Sequence, residues 1–301
     1  MQTTSKVLMI RPLHFVYNVE TAVNNTFQVK GDQDNLTEKA VKEFDAFVNT
    51  LRDEGIDVTV VEDSADPHTP DAIFPNNWIS FHSSGIYCLY PMFAPNRRQE
   101  RKAEVITAVQ KKFHYNQLID FTGYESQNLF LEGTGSMVLD RNKQLAYACL
   151  SPRTNEAVLQ DFCKRLNYQP IVFHAVNESG HAIYHTNVMM CVADRYVVIC
   201  LDSIPDTAER KYVEETIIRG KKEIIPISIP QMNQFAGNML QLENERKEKI
   251  LVMSSAAWNA LLPDQIEKLT KHNRILHCSL THIETNGGGS ARCMIAEIHL
   301  Q

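Results

Sequence analysis

An apolar strand, a long helix and a second strand occupy the first sixty residues, and this order restricts the fold most. Lys6–Ile10 reads Lys-Val-Leu-Met-Ile, a short apolar run of the kind that forms a buried strand. Between Asn35 and Glu54, Ala40, Phe44, Phe47, Val48 and Leu51 recur on one helical face. Asp57–Val61 supplies the next strand. A helix joining two strands is the repeating unit of an α/β fold. The texture continues, with short strands expected near 78–81, 85–90, 129–131, 136–139, 145–150, 171–175, 188–192, 196–200, 223–228, 238–242, 249–253, 274–278 and 294–300. Helices are expected from Arg97 to about Lys112, from about Asn155 to Leu166, and over 206–219 and 263–271. No low-complexity run, linker or internal repeat is legible, so residues 1–301 are expected to make a single domain.

Charge and cysteine usage narrow the setting. The chain is 44% hydrophobic and 22% charged with a net charge of -6, which argues against a nucleic-acid or anionic membrane surface. Its seven cysteines are scattered without Cys-x-x-Cys spacing, as in a protein of a reducing compartment. With no apolar run approaching ~18 residues and no leader pattern, a cytoplasmic location is expected. The sequence leaves a homo-oligomer open.

One cysteine stands apart. Asn286-Gly-Gly-Gly-Ser-Ala-Arg-Cys293 runs three glycines toward Cys293 near the C-terminus. Glycine permits positive φ and close approach, so this stretch reads as a tight turn that exposes a thiol nucleophile and lets the backbone come close to a small substrate. A nucleophilic cysteine needs a proton carrier and a group to orient that carrier. His185, opening the apolar run Val188–Val192, and Glu132, set among apolar residues, are candidates. Each has a bland alternative as a structural residue. Asn18, Asn24, Asn25 and Gln28 read as a polar surface loop, and Arg97-Arg-Gln-Glu-Arg101 as a solvated helix face, although an arginine there is also suited to gripping a carboxylate. His181 and His185 have i, i+4 metal-ligand spacing but no accompanying glutamate, and the three glycines lack a phosphate-loop lysine. No metal and no organic cofactor are expected.

Five short motifs, taken in order, carry a resemblance. They are Pro70-Asp-Ala-Ile-Phe-Pro-Asn-Asn77, Leu131-Glu-Gly133, Ser151-Pro-Arg-Thr-Asn155, His185-Thr-Asn187 and Gly287-Gly-Gly-Ser-Ala-Arg-Cys293. Over nearly its whole length the chain resembles the guanidine-modifying, or pentein, superfamily of arginine deiminases, dimethylarginine dimethylaminohydrolases, amidinotransferases and ornithine-releasing dihydrolases. The resemblance implies a five-bladed pseudo-symmetric α/β propeller with the site at its centre. It implies Cys293 as nucleophile, His185 as general acid and base, and Glu132 as the partner of His185. Arg97 and Arg153 would hold the substrate carboxylate and Asp71 the polar head of the amino acid. Asn25, Asn76, Asn77 and Asn187 would complete the substrate-binding set.

The departures from the family pattern point to the substrate. Deiminases usually carry an aspartate where this chain has Asn77, and His-x-Asp where it has His185-Thr-Asn187. Paired carboxylates suit a guanidinium, which only donates; an amide donates and accepts, which suits a neutral ureido group. The expectation is a C–N hydrolase acting on a free amino acid, with citrulline, or else arginine, converted to ornithine. A deiminase or dimethylarginine hydrolase giving citrulline, an amidinotransferase, and a non-catalytic amino-acid-binding relative are the alternatives.

Overall fold

The computed structural model describes residues 1–115 and 117–300. The strands form five three-stranded sheets. β1 (Lys6–Arg11) runs parallel to β2 (Asp57–Glu62), with Val7 opposite Val58, and helix α1 (Leu36–Asp53) makes the crossover. The same plan recurs. β3 (Ile79–His82) pairs antiparallel with β4 (Ile86–Leu89), which crosses through α2 (Ala103–Lys112) to the parallel β5 (Gln117–Asp120). β6 (Val138–Asp140), β7 (Leu145–Cys149), α3 (Glu156–Leu166) and β8 (Gln169–Phe173) repeat it. So do β9 (Met190–Val192), β10 (Tyr196–Ile199), α4 (Thr207–Arg219) and β11 (Glu223–Pro226). The fourth repetition is β12 (Leu240–Glu243), β13 (Lys249–Ser254), α5 (Pro263–Thr270) and β14 (Arg274–Cys278). The chain then returns, and β15 (Ala296–Glu297) supplies the antiparallel partner of β1.

Helices fill the seams between neighbouring sheets. The buried face of α1, with Ala40, Phe44, Phe47, Val48 and Leu51, packs on Val7 and Met9 of β1 and on Leu242, Ile250 and Val252 of the last complete sheet. Val158, Leu159 and Phe162 of α3 likewise join Ile119 of β5 to Ala146 and Ala148 of β7. Cutting such a buried phenylalanine back to alanine costs about 3–5 kcal/mol. Among the described residues no helix is long and apolar enough to cross a membrane.

Several expected elements end differently. The helix expected from Arg97 to Lys112 is broken: Pro95–Arg98 makes one turn, and α2 starts only at Ala103. Arg101 is drawn to Glu125 and Lys102 to Asp63, and these separate ion pairs override helical continuity. Residues 129–131 make only an isolated bridge at Leu131, and the strand expected from Ser136 begins at Val138, because Ser136 ends the helical turn Gly133–Ser136. His185 precedes a helical turn, Thr186–Met189, before β9 begins. A helix over Thr281–Gly287 separates β14 from the remaining glycines, and the last strand is two residues long.

These turns share one position. Asn77, Ser136, Asn187, Asn238 and Cys293 each stand two or three residues before the first strand of a sheet. The turns also touch in sequence: Gly133 abuts the Asn76 carbonyl, and Thr186 Oγ1 donates to Ser136 O at 2.6 Å. Asn238 Nδ2 donates to Asn187 O at 2.8 Å and reaches Cys293 Sγ at 3.3 Å. Gly289 lies against Phe74, just before the turn Pro75–Asn77. The repeat missed in the sequence is therefore one of topology, with five strand-entry turns gathered together.

Candidate active site

Cys293, His185 and Glu132 come from three of those turns. Cys293 is buried, 2% exposed, and faces a small pocket shared with His185. The expected exposed thiol is thus corrected: the turn carries it inward. The glycines do not line up as a bare approach path either. An added side-chain carbon at Gly287 or Gly289 would meet the Phe74 ring at 2.8 or 2.9 Å, and one at Gly288 would meet Asn25 at 2.5 Å. Their small size makes room for Phe74 and Asn25, which line the pocket with Gly287 and Gly289.

Glu132 lies behind His185, fully buried, and its Oε2 stands 2.8 Å from Nε2. Burial pushes the Glu132 carboxyl up, but Arg153, the His185 hydrogen bond and Arg97 outweigh it and hold the group at about 2. Burial lowers His185 to about 4 against the opposing pull of Glu132. An ionised carboxylate beside a neutral ring takes its N–H, so Nε2 donates and Nδ1 is the ring's acceptor. Gly135 lets this pair sit where it does: a side-chain carbon there would fall 2.8 Å from His185 Nδ1 and 2.4 Å from Asn77 Nδ2.

The wall built on Arg97 and Arg153, which also reaches Glu132, is ionic. Arg97, for which the sequence left open a solvated helix face or a grip on a carboxylate, is buried. Nε and Nη2 make a bidentate pair with Glu100 at 2.8 and 3.0 Å, Nη1 donates to Asn77 Oδ1 at 2.8 Å, and Nη2 to Phe74 O at 3.3 Å. Arg153 gives Nε and Nη2 to Asn24 Oδ1 at 2.8 and 2.6 Å, and Nη2 also to Thr21 O, while Nη1 stands 3.5 Å from Glu132. Asp71 accepts from Asn18 Nδ2 and Thr21 Oγ1 on Oδ2, and its Oδ1 is buried without a partner. Burial raises Asp71 against the pull of Arg97.

The segment after β1 supplies Asn18, Thr21, Asn24 and Asn25, so the expected surface loop is corrected to a cover over the pocket. Asn18 and Asn25 are buried, and Asn25 Nδ2 points to the Gly287 and Gly288 carbonyls at 3.4 Å. Asn77 lines the pocket; Asn76 stands behind it and accepts from Asn77 Nδ2 at 2.9 Å. Asn187 lies beyond the sulfur, with Nδ2 3.4 Å from Sγ and a buried Oδ1 without a partner. Glu100, Asn238 and Tyr184, whose ring lines the pocket and whose hydroxyl donates to Gly288 O, were missed in the sequence. Glu100 was hidden in the charged run, Tyr184 precedes His185 inconspicuously, and Asn238 becomes legible only when the five turns are superposed. Among the described residues, no group of three His, Cys, Asp or Glu is placed to hold a metal ion.

A sequence model of N,N-dimethylarginine dimethylhydrolases, eukaryotic, matches residues 11–300. The chain belongs to this family. Membership in the dimethylarginine dimethylhydrolase family bears out the pentein resemblance read from the five motifs. No curated protein sequence matches. Among solved structures, the N-terminal domain of ArgZ, covalently bound to a reaction intermediate, superposes with a TM-score of 0.77 at 18% identity, over 97% of each chain. Full-length ArgZ, described as an arginine dihydrolase from the ornithine–ammonia cycle in Cyanobacteria, matches over 97% of this chain but only 40% of its own, with a TM-score of 0.76 at 18% identity. A dimethylarginine dimethylaminohydrolase adduct with S-methyl-L-thiocitrulline gives a TM-score of 0.64 at 14% identity, over 98% of this chain and 100% of the other. At these identities the likeness is one of α/β fold.

Proposed function

We propose that the protein is a cysteine-dependent hydrolase that converts citrulline, or arginine as second choice, to ornithine. The observation that carries this is the thiol's setting: Cys293 in a closed pocket, served by the His185–Glu132 pair and flanked by amides at Asn77 and Asn187 rather than carboxylates. Asn77 Oδ1 is also taken up by the Arg97 guanidinium, itself paired with Glu100, so this position offers no free anion to a substrate cation. A guanidinium is disfavoured there and a neutral ureido group is not.

In the proposed reaction Cys293 passes its proton to His185, and the resulting imidazolium is stabilised by Glu132. The thiolate gives an electron pair to the ureido carbon. A C–N bond breaks, the departing amine takes the proton from His185, and an acyl group remains on sulfur. Water then gives a proton to His185 and its oxygen to the carbon, and the carbon–sulfur bond returns its electrons to sulfur. The carbamate decomposes, so citrulline and water yield ornithine, ammonia and carbon dioxide. Arg153 through Nη1, Arg97 and Asp71 Oδ1 are assigned to the substrate's carboxylate and amino ends, with Asn25 at the pocket mouth and Asn76 supporting Asn77.

The five repeated sheets are read as the blades of a propeller around this site, and residues 1–301 as one catalytic domain. Family membership favours a second reading, hydrolysis of dimethylarginine to citrulline. Incubation with citrulline, arginine and dimethylarginine separately, with products identified, decides between them. Ornithine from citrulline supports the first; citrulline accumulating without further turnover contradicts it.

A further inference from the structure

Asn238 is fully buried and makes contacts at both ends of its side-chain amide. Oδ1 accepts the Arg292 backbone N–H at 3.0 Å, and Nδ2 donates to Asn187 O at 2.8 Å. Backbone groups of opposite polarity therefore fix which way the amide faces, since flipping it would break both bonds. The second hydrogen on Nδ2 is left for Cys293 Sγ, 3.3 Å away. Asn187 Nδ2 approaches the same sulfur at 3.4 Å. Among the described residues these two amides are the hydrogen-bond donors on Sγ, and neither carries charge.

We propose that Asn238 is a catalytic residue that stabilises the Cys293 thiolate by donating an amide N–H to it, together with Asn187. This rests on reading Cys293 as the nucleophile. A buried thiolate has lost its water, and N–H donors held by the fold replace that solvation without having to reorient. As a thiol, Sγ can instead donate to Asn238 Oδ1, 3.7 Å away, so one side chain serves both protonation states. The donors act twice in the reaction. They hold the thiolate before attack, and they receive it again when water displaces it from the acyl group and the carbon–sulfur electron pair returns to sulfur. Asn238 stands in its turn where Cys293 stands in the next, so the arrangement comes from two adjacent copies of the same strand-entry position.

The test is the pH dependence of Cys293 alkylation by iodoacetamide, followed on the Cys293 peptide by mass spectrometry without amino-acid substrate. Asn238→Asp keeps the size but removes the donor, and Asn238→Ala removes the side chain. Both should move the half-maximal point upward, by one pH unit or more in Asn238→Asp, which is about tenfold slower alkylation at neutral pH. Thermal melting identifies any variant that has not folded, and the other variant then decides. An unmoved profile in a folded variant overturns the proposal. The readout needs no turnover, so failure of the wild type to hydrolyse citrulline would break the substrate reading while leaving this one standing.

Discussion

The two walls of the pocket are built from opposite chemistry. One holds Arg97, Glu100, Asp71, Arg153 and Glu132, all buried and cross-linked by hydrogen bonds and ion pairs of 2.8–3.8 Å. The other surrounds Cys293 with the neutral amides of Asn187 and Asn238 and with small glycines. Buried charges persist only when each is paired, so the ionic wall is a fixed frame suited to the charged ends of a free amino acid. The amide wall has unspent capacity, including Asn187 Oδ1, and lies where a reacting group would exchange protons and electrons.

The largest expected effect lies on the amide wall. Cys293→Ser should abolish turnover while the melting temperature stays near that of the wild type, because a buried hydroxyl can still bond the Asn238 amide. Retained turnover would end the covalent route. Next comes the ionic wall. Arg97→Ala leaves Glu100 and Asp71 buried without their partner and should destabilise the fold by about 3–5 kcal/mol in denaturant unfolding. A loss below ~1 kcal/mol would mean that the wall is not a fixed frame.

Acid should act more gently, through His185 in the pocket and through His299, which lies outside it beside Glu297. His185 and His299 are held at about 4 by burial, below the usual value near 6.5, despite the opposing carboxylates Glu132 and Glu297. Between those values the unfolded chain binds protons that the folded chain refuses. The histidine contribution to stability should therefore fall as pH drops from about 6.5 to 4, by up to about 1.4 kcal/mol per pH unit for each, opposed over part of that window by Glu100 and Glu284, which burial raises to about 7. His185→Gln should flatten the slope, and an unchanged slope would contradict the burial argument.

The α/β plan was legible because the α1 face and the flanking strands follow simple periodicities. Cys293, His185 and Glu132 were legible through their family motifs. The buried state of Cys293 was not, because a glycine-rich turn looks the same whether it faces water or Phe74. The burial of Arg97 was not legible from its neighbours, because a run of charges looks the same on a solvated helix face as beside the buried Glu100. Asn238 had no local signal, since its meaning lies in a position shared with Asn187 and Cys293 in other sheets.

Amides at Asn77 and Asn187 are proposed to select a neutral reacting group. This selection is tested by kcat/KM for citrulline and for arginine in the wild type and in the Asn77→Asp, Asn187→Asp double variant. The wild type should prefer citrulline, and the variant should move toward arginine by at least ~10-fold, about 1.4 kcal/mol of differential transition-state binding. An unchanged ratio would contradict the proposed selection.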